Sequence, residues 1–239
     1  ATSGLTTADQ MLDSPTDDID GTGASNYCIM SPIDSYLCTL SNGNQHVYYG
    51  SYTHAVRGSI GIPVSSSSDI FVFEAIMTAG TIGWGMIGVV DNGSPIQTGD
   101  FRSYKSGAAW EGGGACDGLN PTYGYGLQET AASGFTYALN DVVGVEVNCS
   151  NGDVKFYKNG TYQFTQSALS GVSALTTDRD WFPTCVMEGP ATGDWDFIFA
   201  EADMTYFGSY AAGSKTICTA NLPAPAITVP TDYFNTKIF

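Results

Sequence analysis

The chain is poor in positive charge. Lys and Arg together number 8 against 24 Asp and Glu, giving the 239 residues a formal charge of −16. A phosphate backbone is bound by Lys and Arg that release its counterions, and this surface repels it. The expectation is no nucleic-acid partner, with anionic lipid disfavoured too. Charged residues make up only 13%, half of the roughly 25% usual in globular chains. No window carries an apolar stripe of helical length at a 3.6-residue period, and Thr7 to Leu12 is read as one turn at most. Long hydrophobic runs are missing as well. Ile70 to Met77 is the longest and is broken by Glu74, far short of the ~20 residues of a membrane span. Ala1 to Gln10 has neither a basic patch nor an apolar run, so it is not read as a signal peptide. A soluble protein without membrane insertion is expected.

Histidine is almost absent: His46 and His54 are the only two. No G-x-S-x-G elbow accompanies them, and two His with dispersed Cys make a poor zinc set. Both are read as surface or turn residues. The six cysteines, Cys28, Cys38, Cys116, Cys149, Cys185 and Cys218, include no C-x-x-C. Cys149 and Cys185 lie in apolar strand-like runs, where a thiol behaves as a small hydrophobe. Buried free thiols are the favoured reading, ahead of disulfides and well ahead of a metal or catalytic thiol.

What the chain does have is 29 Gly, 10 Pro and 14 Tyr, a profile for short strands and tight turns. Its length suits one large domain or two small ones, and a single fold of this size buries enough surface to need no staple. From Asp141 to Phe164 the pattern is clearest. Val143, Val145, Val147 and Cys149 alternate with Gly144, Glu146 and Asn148, the period of a half-buried strand. Asn151-Gly152 signals a two-residue type I′ hairpin. That turn sets Cys149 opposite Val154 and Val147 opposite Phe156 on one face, with Asn148 opposite Lys155 and Glu146 opposite Tyr157 on the other. Asn159-Gly160 repeats the device and leads into Thr161 to Thr165, predicting a three-stranded meander.

Further strands are expected at Ile70–Met77, Thr81–Val90, Trp181–Met187 and Trp195–Ala200, and more weakly at Val47–Tyr52 and Gly58–Ile62. Gly83, Gly85 and Gly88 suggest a close backbone approach or a bulge in the second of these. With no βαβ alternation, the fold class is all-β, an antiparallel β-sandwich. The division expected is a lead-in over 1–45 packed on the sandwich, the sandwich over 46–212, and an extended, proline-punctuated C-terminal arm or linker over 213–239.

Several segments resemble the SPRY domain, a concanavalin-A-like jelly roll. Asp141-Val-Val-Gly-Val-Glu-Val, Val154-Lys-Phe-Tyr-Lys-Asn-Gly160, Trp181-Phe-Pro-Thr-Cys-Val and Thr205-Tyr-Phe-Gly208 follow that family's order over about Ile60 to Gly208. The flanks Met11–Asp18, Tyr27–Asp34 and Leu40–Gly43, and the closing Ile217–Phe234, are similar to segments around such domains in bacteriophage virion and tail-fibre-like proteins. The resemblance implies a virion structural protein serving attachment or surface recognition. Implied partners are other virion proteins, further copies of the chain, and a host-surface glycan or protein. No catalytic, metal or cofactor set is carried over with it.

Three kinds of side chain are candidates for chemistry. Glu188, Asp194, Asp196, Glu201 and Asp203 are the carboxylates from which a glycoside hydrolase would draw its pair, against a reading as solvated strand residues. That cluster, or Asp13, Asp17, Asp18 and Asp20, offers hard oxygen ligands for Ca²⁺ but has no EF-hand spacing. Tyr104, Trp110, Tyr123 and Tyr125 lie among glycines in Phe101 to Tyr125, where loop aromatics give large contact area at little rotamer cost. They are the ligand-binding candidates, with subunit packing and cover of the core as the other readings. In SPRY domains loops at one end of the sandwich bind, and this segment would reach them. The sequons at Asn92, Asn148 and Asn159 are read as turn chemistry. The function expected is therefore a non-enzymatic virion protein, with a lectin-like adhesion module as the alternative and a virion-attached glycan hydrolase third.

Overall fold

A computed structural model of the chain describes residues 26–50, 54–64, 67–93, 107–112, 115–119, 127–131, 135–167, 180–187 and 192–222. The strands in chain order are β1 (Met30–Tyr36), β2 (Cys38–Ser41), β3 (His46–Tyr49), β4 (His54–Gly58), β5 (Ile70–Gly80), β6 (Gly85–Asp91), β7 (Gly107–Glu111) and β8 (Ala115–Leu119). They continue with β9 (Leu127–Ala131), β10 (Val142–Asn148), β11 (Asp153–Lys158), β12 (Thr161–Ser167), β13 (Trp181–Met187), β14 (Gly193–Ile198) and β15 (Lys215–Thr216). Among the described residues only single turns of 3₁₀ helix interrupt them. One sheet runs β1-β4-β13-β6-β7-β8-β9 and the other β12-β11-β10-β5-β14-β3-β2. Every pairing is antiparallel except the two residues of β15, which lie parallel to β5. The fold is the expected β-sandwich.

Alternation explains the core. Val143, Val145 and Val147 of β10, Val154 and Phe156 of β11, and Trp195 and Phe197 of β14 turn inward, and all are buried. They meet Trp110, Trp181 and Cys185 from the facing sheet in one apolar cluster.

The meander forms, with its register corrected by two residues. Val147 pairs with Val154 and Val145 with Phe156, while Asn148 pairs with Asp153. The first connection is a four-residue loop over 149–152, not a type I′ turn, because only Gly152 has positive φ (68°). Asn148 Oδ1 accepts from the N–H and Oγ of Ser150, and Asn151 Oδ1 accepts from Asp153 N–H. Those side-chain bonds hold the wider loop. An even slip leaves each side chain on its expected face. The second turn forms as expected: Asn159 and Gly160 have φ of 49° and 74°, and Lys158 pairs with Thr161.

Other boundaries also shift. Residues 82–84 form a 3₁₀ turn ahead of β6, so Thr81 does not open a strand. The close approach expected near the glycines occurs at Gly88, where a Cβ would lie 2.0 Å from the Ala108 carbonyl oxygen. Gly58 ends β4, and beyond it only an isolated bridge joins Ile62 to Trp181.

The sandwich draws on residues before 46 and after 212. β1 and β2 belong to different sheets with only Leu37 between them. At the other end of the described chain, Thr219 N–H donates to Asn26 O at 2.9 Å and Asn26 N–H to Thr219 Oγ1 at 3.1 Å. Tyr27 and Cys218 form an antiparallel bridge there. The arm beyond Leu222, the helical turn at Thr7 to Leu12 and the Asp13–Asp20 carboxylates lie outside the described residues.

Leu37 makes the switch between sheets at φ 54°, with its side chain 62% exposed. A left-handed L-residue is disfavoured by roughly 1–2 kcal/mol. Glycine relieves that strain but adds roughly 0.5–1 kcal/mol of unfolded-state entropy. Leu37→Gly is therefore expected to stabilise the fold slightly, read as a higher urea midpoint at unchanged m-value.

Cys28, Cys38, Cys149, Cys185 and Cys218 are free thiols. Burial pushes both the Cys28 and Cys149 thiols up to about 12 from an ordinary 9.0. Their unfolded forms thus ionise at lower pH than the folded ones. The stability this linkage contributes is present below pH 9 and is lost as pH rises toward 12. Denaturation midpoints measured from pH 8 to 11 are expected to fall, less steeply in a Cys28→Ala and Cys149→Ala double variant.

Candidate functional site

The outer face of the β12-to-β2 sheet is divided. Over β5, β10 and β11 it is roofed by the segment around residues 205–211, whose Tyr210 is buried. Two buried carboxylates hold the roof down. Glu74 on β5 accepts from Thr205 N–H at 2.8 Å, Tyr206 N–H at 2.8 Å and Tyr210 Oη at 2.9 Å. Glu146 on β10 accepts from Lys155 Nζ at 2.7 Å, Tyr157 Oη at 3.0 Å and Ala211 N–H at 2.9 Å. Gly144, paired with Glu74, leaves the space that Tyr210 occupies, since a Cβ there would meet its hydroxyl at 2.2 Å. Burial, then the adjacent Glu74 charge, raises the Tyr210 phenol, and burial, then Glu146, raises that of Tyr157. Both phenols stay protonated as donors to these carboxylates.

Beyond β5 the same face is open. Val47 and Tyr49 of β3, with Trp195 and Phe197 of β14, point into the core. Alternation therefore sends His46, Tyr48, Asp194 and Asp196 outward. Pairing aligns them with β2 into two rungs, Ser41–His46–Asp196 and Thr39–Tyr48–Asp194. With strands about 4.8 Å apart, six hydrogen-bonding side chains form one compact array. His46 is gripped from both sides: Nδ1 lies 2.7 Å from Asp196 Oδ1, and Nε2 lies 3.3 Å from Asp194 Oδ1. Ion pairs this exposed add little to stability. Their effect is positional, setting the imidazole between the two carboxyls. Beside them Tyr48 is 44% exposed. Its Cε1 edge and hydroxyl lie beside Gly50, where a Cβ would meet Cε1 and Oη at 3.7 Å. The array offers acceptors, hydroxyls and one aromatic face on a rigid sheet.

The residues singled out in sequence are dispersed differently. Trp110, expected among exposed loop aromatics, is a correction: β7 carries it inward and it is wholly buried. Its Nε1 donates to Phe135 O at 3.1 Å, and its ring meets those of Tyr137, Phe156 and Phe164 edge-on. Tyr104, Tyr123, Tyr125 and Glu188 lie outside the described residues. Of the named carboxylates, Asp194 and Asp196 come together with His46, whereas Glu201 and Asp203 sit exposed on a 3₁₀ turn. Among the described residues no group of three His, Cys, Asp or Glu is arranged to hold a metal ion. Asn148 and Asn159 are engaged in turn hydrogen bonds. Sequence reasoning missed Tyr48, Thr39 and Ser41. The alternation of His46-Val-Tyr48 beside Asp194-Trp-Asp196 held the signal, but nothing in sequence shows that β3 and β14 are neighbours.

No family model matches the chain, and no curated protein matches it. Among solved structures it is similar to the SPRY domain of human HERC1, at 15% identity and a TM-score of 0.51. That similarity covers 71% of this chain and 96% of the other. The fold is SPRY-like, as the sequence resemblance implied.

Proposed function

We propose that the chain is a non-enzymatic structural component of a bacteriophage particle, on a fibre, an appendage or the capsid surface, displaying a SPRY-like binding module. The observation that carries this reading is the division of labour in the sandwich. Its interior is filled by packed side chains, while a bare, rigid sheet face presents ordered hydrogen-bonding groups outward. Scaffolds of this kind bind through surfaces held in place by a core. The phage context is supported by the likeness of the lead-in and closing segments to those of virion proteins. The reading places the chain on the virion after assembly in the host cytoplasm, against other virion proteins and further copies of itself.

The test is a cryo-EM map of the intact particle together with its protein composition. Density for a two-sheet domain on the outer surface is expected. Particles that lack the chain would overturn the assignment. A second reading, adhesion to host-surface polysaccharide, is favoured by the exposed Tyr48 ring beside Asp194 and Asp196, and is compatible with display on a particle.

A further inference from the structure

We infer that the bare end of the β14–β3–β2 face is a binding surface for a neutral sugar chain. The inference rests on the reading of the chain as a displayed binding module and names that module's site and ligand class. Three observations converge on it. The first is the Tyr48 ring, exposed, with its Cε1 edge and hydroxyl beside Gly50. A flat, accessible ring takes the C–H face of a pyranose as it takes any apolar surface, and its own hydroxyl stays free to bond.

The second is the pairing register. It sets Asp194 in the same rung as Tyr48 and puts Asp196 in the next, so two carboxyls stand beside the ring on its β14 side. Thr39 and Ser41, both exposed, extend the two rungs onto the edge strand. Hydroxyl partners of this kind both donate and accept, as sugar hydroxyls require.

The third is charge. The chain's −16 and the two carboxylates repel sulfated, sialylated or phosphorylated glycans. The same carboxylates would ordinarily attract a cation, but His46 already stands between them, its nitrogens 2.7 and 3.3 Å from one oxygen of each. A lysine-rich peptide or a metal would have to displace it. What remains is a ligand that is uncharged, rich in hydroxyls and apolar on one face.

The geometry also explains why His46 is in the array at all. Lying between Asp194 and Asp196, with Nδ1 hydrogen-bonded to Asp196 and Nε2 3.3 Å from Asp194, it holds apart two carboxyls that would otherwise repel each other across one strand step. It is a positioning residue, acting on the ligand through Asp194 and Asp196.

The test uses the full chain against an immobilised panel of neutral gluco-, galacto- and manno-oligosaccharides. Sialylated and sulfated glycans and poly-lysine are included as charged probes. At least one neutral sugar is expected to bind with weak dependence on salt. Tyr48→Ala and the Asp194→Asn, Asp196→Asn pair are each expected to weaken that binding tenfold or more. Tyr162→Ala, which removes another exposed tyrosine at the opposite edge of the same sheet, is expected to leave it unchanged. Because all these side chains are exposed or half-buried, the variants should keep the wild-type melting temperature. His46→Gln is expected to weaken binding less than the Asp pair does.

Sugar binding that survives Tyr48→Ala would overturn the site while leaving the module reading intact. Binding confined to poly-lysine or to anionic glycans, or no binding across the panel, would overturn the ligand class. Neither result bears on whether the chain is present on the particle, which the cryo-EM map decides separately.

Discussion

Replacing Glu74 with glutamine is expected to cost about 2–4 kcal/mol and to loosen the segment around residues 205–211 from the sheet. Every partner Glu74 has among the described residues is a donor: two backbone N–H groups and the Tyr210 hydroxyl. A carboxylate accepts from all three. An amide must turn its NH₂ toward one of them, which leaves donor against donor in a site with no exposure. For a domain of this size the loss corresponds to a fall in melting temperature of roughly 5–15 °C. Tyr210→Phe removes one donor and leaves Glu74 two, so a smaller fall is expected. Amide hydrogen exchange separates this account from general damage. Thr205, Tyr206 and Ala211 should lose protection before the inward strands do. A Glu74→Gln variant within about 1 kcal/mol of wild type, with protection of the roof unchanged, would show that the clamp is not what holds it.

The second large effect is at Trp110. Truncation to alanine is expected to cost about 3–5 kcal/mol. It removes a wholly buried indole and its contacts to three rings, and leaves Phe135 O without its donor. Trp110→Phe keeps an aromatic ring and should lose less. Chemical denaturation gives these values, and the sugar panel supplies the second readout. If Trp110 is core, Trp110→Phe keeps full binding while losing stability. A Trp110 variant that melts like wild type yet loses ligand would return this residue to the recognition surface.

The two predictions mark how far sequence carries here. The meander was readable because alternation and Asn-Gly turns are local signals, and both concern residues within a few positions of each other. Its register slipped by two because Asn148 and Asn151 accept bonds from the loop backbone, a competition that a turn motif alone does not reveal. Trp110 was misplaced because glycines and aromatics read alike in a loop and in a small-residue strand such as Gly107–Glu111. Glu74 lay in view in the longest apolar run, but its donors come from 131 to 136 residues away. The array at His46 shows the same limit. His46, Asp194 and Asp196 were noted singly, Tyr48, Thr39 and Ser41 were missed, and the contact that joins His46 to Asp196 spans 150 residues. What sequence withheld in each case was long-range neighbourhood.

The adjacency of Asn26 and Thr219 has a mechanical consequence. The two ends of the described sandwich therefore stand side by side. A pull applied at Asn26 and Thr219 loads the short Asn26–Thr219 and Tyr27–Cys218 ladder before it reaches the two sheets. The body can therefore be grafted into a loop of a host protein, or have its ends rejoined and be reopened elsewhere, with little change to the spacing of whatever lies on either side.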